Sequence, residues 1–142
     1  MSEHYQKLGY NVTHFTDDEL SCHCGDPRCP QFNDSEEFIV TLLNLEALRN
    51  ITNESLPLSS AFRCEYHPIE AAKIKKGGKA GWHNRAAFDI KCSGAKASRV
   101  LVAIFKMGEY WNGIGVSQKG EHSKRFIHID PRPIEERWVW SY

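Results

Sequence analysis

The sequence predicts an α+β fold in a single domain, a small antiparallel sheet with flanking helices. Three observations carry that expectation. The chain has 142 residues, 41% of them hydrophobic, enough for one core and short for two. Two segments show apolar residues at helical spacing, and four short apolar runs bounded by turn signals read as strands. Their order is helix, strand, strand, helix, strand, strand, which favours α+β over alternating parallel units.

The elements follow in order. Thr16-Asp17-Asp18-Glu19 has the capping-box pattern, so a short helical turn starts there and runs into a cysteine cluster. Gly25 to Asn33, with Pro27 and Pro30, reads as loop. Asp34 is placed to cap a helix carried to Asn50 by Phe38, Ile39, Leu42, Leu43, Leu45 and Leu48. Turn-rich Thr52 to Ser55 leads into a strand at Leu56 to Phe62, and Lys- and Gly-rich Ala72 to Trp82 is expected to be an exposed, mobile loop. Ala87 to Lys91 reads as a buried strand. Ser98 to Trp111 repeats the helical pattern through Val100, Leu101, Ile104, Phe105 and Tyr110. Ile114 to Val116 and Phe126 to Ile129 read as two more strands, joined by a polar loop, Ser117 to Arg125, that borders the site.

Composition narrows the function. Eighteen basic residues balance eighteen acidic ones with no long block of either sign, so nucleic acid is a poor partner. No run of about eighteen apolar residues occurs, so no membrane span is expected. MSEHYQKLGYNVTHF lacks a basic start followed by an apolar stretch, which points to cytoplasmic synthesis without a Sec-type signal. The five cysteines are an odd number, and Cys22, Cys24 and Cys29 cluster in SCHCGDPRC. In a reducing compartment, clustered thiols are metal ligands or buried apolar groups more often than disulfides.

The chemistry concentrates in three segments: Ser60-Ala61-Phe62-Arg63-Cys64, His83 to Ile90, and Phe126-Ile127-His128-Ile129-Asp130. Asp89 lies within Ala87-Phe88-Asp89-Ile90, and His128 lies between two isoleucines. A carboxylate in such a setting is costly to bury unless a cation or several donors meet it. Together with His83 these residues make a candidate zinc site with two histidines, one carboxylate and a fourth position open. Such an ion lowers the pKa of a bound water to about 7 and polarises a carbonyl, which suits amide hydrolysis. A satisfied core histidine and a strand-end aspartate are the plainer alternatives.

The three segments resemble the M15 family of zinc D-Ala-D-Ala carboxypeptidases and cell-wall endopeptidases, particularly its compact bacterial and phage-borne branch. That branch reads Ser-Gly-Tyr-Arg-Cys, then Ser-x-His-x-x-Gly-x-Ala-x-Asp-Ile, then Phe-Val-His-Val-Asp. Further echoes are His14-Phe15-Thr16, Glu19-Leu20-Ser21-Cys22, Gly113-Ile114-Gly115 and Arg137-Trp138, so the similarity spans almost the whole chain in order.

The resemblance implies a hedgehog/D-Ala-D-Ala-peptidase-like fold, and zinc held by His83, Asp89 and His128. It implies a substrate-facing role for Arg63, with a structural ion pair as the alternative; Ser60 could orient that arginine or the substrate. It further implies peptidoglycan stem peptide as substrate, in a monomeric lysin of phage or prophage origin. Such a protein acts at the wall after release, or in a virion. A non-catalytic zinc-binding recognition domain of the same architecture is the alternative.

Two departures bear on the site. Five residues separate His83 from Asp89 where the family has six, with no glycine among them, so the connection must be tight. Ala61 replaces a glycine, which is harmless if the backbone there avoids positive φ. For the general base, relatives offer a carboxylate at the position of Arg125 or a histidine at that of Phe126. Asp130 is the favoured substitute, two residues along a strand from His128, either as base or as a group orienting His128. Glu121 and His122 in the preceding loop are its rivals.

Relatives also pair a Cys-rich stretch with the cysteine after the arginine. Cys22, Cys24, Cys29 and Cys64 are therefore a possible second, structural metal site, against buried thiols or one disulfide. Trp82, Trp111, Trp138, Trp140 and Tyr142 are candidates either to flank a groove or to pack.

Overall fold

The computed structural model describes all 142 residues, and the architecture is α+β. Six helices, α1 (Glu3–Lys7), α2 (Asp17–Leu20), α3 (Glu36–Thr52), α4 (Pro68–Lys75), α5 (Trp82–Arg85) and α6 (Gly94–Lys106), accompany one sheet. Its five strands are β1 (Leu58–Ser60), β2 (Phe88–Lys91), β3 (Gly113–Ser117), β4 (Phe126–Asp130) and β5 (Trp138–Ser141), in the order β1-β2-β4-β3-β5. No helix is long and apolar enough to cross a membrane.

Capping explains several boundaries. Thr16 accepts from the Glu19 amide while Glu19 reaches back to Thr16, the capping box expected for α2. Ser35, one residue after the expected Asp34, caps α3 by accepting from the Phe38 amide. Asn53 ends that helix in the left-handed conformation. Helix α6 starts earlier and stops earlier than its apolar spacing suggests, since Gly108 takes φ 68 just beyond the Met107 cap.

The segment expected as loop from Ala72 to Trp82 is partly helical. Pro68 sits in the first turn of α4 and His67 caps it, so the helix continues to Lys75 before the Gly77-Gly78 turn.

The sheet is mixed rather than wholly antiparallel. β1, β2, β4 and β3 pair antiparallel, but β5 lies parallel to β3, with Ile114 opposite Val139 and Gly115 opposite Trp140. Trp138-Val139-Trp140 is β-prone sequence, yet its strand pairs with a segment more than twenty residues earlier, which local patterning does not reveal.

Strand alternation gives the sheet two chemically different faces. Phe88, Ile90, Ile114, Ile127 and Ile129 are fully buried in the same core cluster as Phe38, Leu42 and Leu45 of α3 and Val100 and Ile104 of α6. The Phe38 and Phe88 rings meet at 5.6 Å. Each such side chain contributes about 1.5–3 kcal/mol on burial, which makes this face rigid support for the other. On the other face, register aligns Asp89 with His128, His128 with Gly115, and Gly115 with Trp140 in one transverse row.

Candidate metal centre

The row supplies two of the three expected ligands, because adjacent antiparallel strands bring Asp89 and His128 side by side. The third arrives from α5, a single helical turn rather than the expected loop end. Ala86, at φ −164, then drops the chain straight into β2, and Ala86 and Ala87 are fully buried, which absorbs the shortened interval. Ala61 is not among the residues with positive φ, so the missing glycine costs nothing. Its carbonyl accepts a hydrogen bond from His83 Nδ1 at 2.7 Å and turns Nε2 towards the sheet.

Three ligand atoms converge. His83 Nε2 lies 3.1 Å from Asp89 Oδ1 and His128 Nδ1 lies 2.9 Å from the same oxygen. All three residues offer a ligand atom within 4.8 Å of the others. A tetrahedral zinc with bonds of about 2.0–2.1 Å separates its ligand atoms by about 3.3 Å, so the donor set and the two separations to Asp89 Oδ1 suit such an ion.

Burial and charge are balanced around these groups. Burial pushes the Asp89 carboxyl up, but hydrogen bonds from His128 and His83 outweigh it and hold the group below the ordinary range. Burial pulls His128 down, and its bonds to Asp130 and Asp89 more than reverse this. Asp130 is pushed up by burial and brought below its usual value by Arg132 and His128.

Asp130 does not occupy the place of a proton acceptor. It is fully buried, its Oδ2 meets His128 Nε2 at 2.7 Å, and Arg132 grips both oxygens at 2.8 Å. With its oxygens so engaged, its geometry fits the orienting role and not the base. Glu121 and His122 are exposed, paired with Lys124 and Ser93 respectively, and neither lines the cleft over the three ligands. Arg125 turns back to the Gly120 carbonyl.

The cleft has a volume of about 400 Å³, and Arg63, Lys73, Arg132, Trp82, Trp140 and Tyr142 stand around the ligands. Arg63 Nε lies 3.5 Å from Glu70 Oε2, too long for a hydrogen bond, and has no other partner. Glu70, fully buried, also accepts from the Gly81 amide at 2.6 Å and pairs with Lys73. An ion pair thus anchors Arg63, and its side chain borders the cleft. Ser60 lines a neighbouring hollow with Glu19 and His67 instead. Trp111 is core, and Trp138 is exposed and does not line the cleft.

A second group of potential ligands is assembled by the N-terminal loop. Cys22, Cys24, Cys29 and Cys64 are free thiols whose sulfurs all lie within 4.8 Å of one another, a set able to bind a metal ion. Burial pushes the Cys64 thiol up to about 12, whereas the Asp26 backbone amide draws Cys24 down. Cys92 is separate and buried.

Sequence reasoning missed Arg132, Glu70 and the role of Trp140. The Asp130-x-Arg132 spacing was a usable signal, since the two side chains bond across one intervening residue. Glu70 gave none, because its partners at 63 and 81 come from different segments. Compared with protein-family models, curated proteins and solved structures, the chain matches none. The family resemblance accordingly rests on the motifs themselves.

Proposed function

We propose that the protein is a zinc-dependent peptidase that hydrolyses peptide bonds in peptidoglycan stem peptides, as a D-Ala-D-Ala carboxypeptidase or an endopeptidase. One observation carries this reading: His83 Nε2, Asp89 Oδ1 and His128 Nδ1 converge in a cleft that also presents Arg63. Zinc with three protein ligands supplies a Lewis acid and a nucleophile usable near neutral pH. Arg63 provides a fork for a substrate carboxylate or carbonyl, and Glu70 holds its stem from behind. Lys73 adds positive charge on the same side, consistent with an acidic stem peptide. Trp82, Trp140 and Tyr142 wall the space and limit water. The proposed place of action is the bacterial wall, reached after release from the cell that makes the protein.

A specific observation favours a second reading, a non-catalytic recognition domain of the same fold. Asp89 is the one carboxylate lining the cleft, and it is also a ligand. No separate side chain there stands ready to take a proton.

Incubation of the zinc-loaded protein with a stem pentapeptide ending in D-Ala-D-Ala, and with purified wall, separates the possibilities. Free D-Ala identifies a carboxypeptidase and new internal amine ends identify an endopeptidase, both abolished by His83→Ala. Saturable peptide binding without any product supports the recognition domain and rejects the peptidase.

A further inference from the structure

We infer that a second metal ion, of the thiolate-preferring class that includes zinc, is held by Cys22, Cys24, Cys29 and Cys64 and clamps the segment that positions His83 and Arg63. The inference rests on the cysteines and the backbone around them, and holds whether or not the cleft hydrolyses peptides.

The donor set comes first. Cys64 lies 3.7 Å from Cys22 and 3.5 Å from Cys24, sulfur to sulfur. A tetrahedral ion with zinc–sulfur bonds of about 2.3 Å separates its sulfurs by about 3.8 Å. Four soft donors leave no open position, which defines a structural centre rather than a reactive one. Cys22 and Cys64 are buried and the other two half-buried, so the cluster is largely shielded from solvent. Backbone amides already face the sulfurs: Gln31 N–H donates to Cys29 at 3.3 Å and Cys64 N–H to Cys22 at 3.4 Å. Such donors spread the charge of bound thiolates. Each thiol that binds gives its proton to solvent, and no electron changes hands.

The second half of the inference comes from where Cys64 sits. The residues before it grip the His83 turn at three points. Ala61 O accepts from His83 Nδ1, the Arg63 amide donates to His83 O at 2.9 Å, and Asn84 Nδ2 donates to Arg63 O at 3.0 Å. That strip of chain thus fixes both the imidazole and the base of the Arg63 side chain. Beyond the three-residue β1 it has no sheet partner, and Cys64 ties its far end to the loop from Cys22 to Cys29. An ion at the cysteines locks that tie.

Metal content and cobalt spectra of the full chain test both halves. The wild type should carry two equivalents of zinc, and a His83→Ala/Asp89→Ala variant should keep one. Loaded with cobalt, that variant should show thiolate-to-metal charge-transfer absorption. A variant with neither bound metal nor this absorption overturns the site. Cys24→Ser/Cys29→Ser should lose the absorption, and its remaining ion should bind about 10- to 100-fold more weakly in chelator competition. Cys24→His, which restores a zinc-competent set, should recover the wild-type affinity. Unchanged affinity at the histidine site in the folded serine variant overturns the clamp.

Discussion

Asp130 Oδ2 lies 2.7 Å from His128 Nε2, on the opposite edge of the imidazole from the nitrogen that meets Asp89. With a metal bound through Nδ1, the ring proton sits on Nε2 and donates to Asp130. Arg132 holds the carboxylate in place. Replacing Asp130 with Asn frees the ring to rotate or change tautomer. Zinc affinity at the histidine site should fall about 10- to 100-fold, measured by competition with a chromophoric chelator. Unaltered affinity would mean that Asp130 does not orient the ligand.

Gly115 makes room for Trp140. A Cβ at this position would stand 2.6 Å from the indole, whose ring packs 5.2 Å from that of His128. Gly115→Ala must push the tryptophan and β5 away. Urea denaturation should show a loss of about 1–3 kcal/mol, accompanied by a shift in tryptophan emission.

Glu70 is a buried charge shared among Arg63, Lys73 and the Gly81 amide. Glu70→Gln retains the shape but removes the ionic partner. Stability should fall by about 1–3 kcal/mol, because a buried donor is left poorly satisfied. On the proposed reaction, KM should rise as Arg63 loses its anchor, with zinc content unchanged.

Cys92 provides a pH-dependent readout away from both sites. Burial pushes its thiol up to about 11. The thiolate is the reactive form, so at pH 8 only about 0.1% is competent and alkylation should run over a hundredfold slower than for free cysteine. The rate should climb about tenfold per pH unit up to pH 11. Peptide mapping after iodoacetamide treatment of the zinc-loaded protein checks this.

How much was legible in the sequence follows from which residues carried their own contradiction. His128 between isoleucines and Asp89 before Ile90 announced themselves, because polar groups on a core-forming strand need partners. The capping box at Thr16 and the apolar spacing of α3 were equally plain. Glu70 carried no such mark: in Pro68–Lys75 it reads as one more exposed charge, and only the return of the chain at Gly81 buries it. The role of Asp130 was ambiguous for the same reason, since Arg132 decides it. β5 stayed hidden because its parallel pairing with β3 is non-local. The cysteine cluster was visible as composition, but its convergence needed Cys64 to meet a loop forty residues earlier.

The most direct test of the zinc site is a crystal structure of the zinc-loaded protein with anomalous data at the zinc edge. A catalytic zinc site requires a peak about 2.0–2.1 Å from His83 Nε2, Asp89 Oδ1 and His128 Nδ1, with the fourth position facing the cleft beside Arg63. An absent peak there, or a fourth protein ligand closing the coordination, would contradict it.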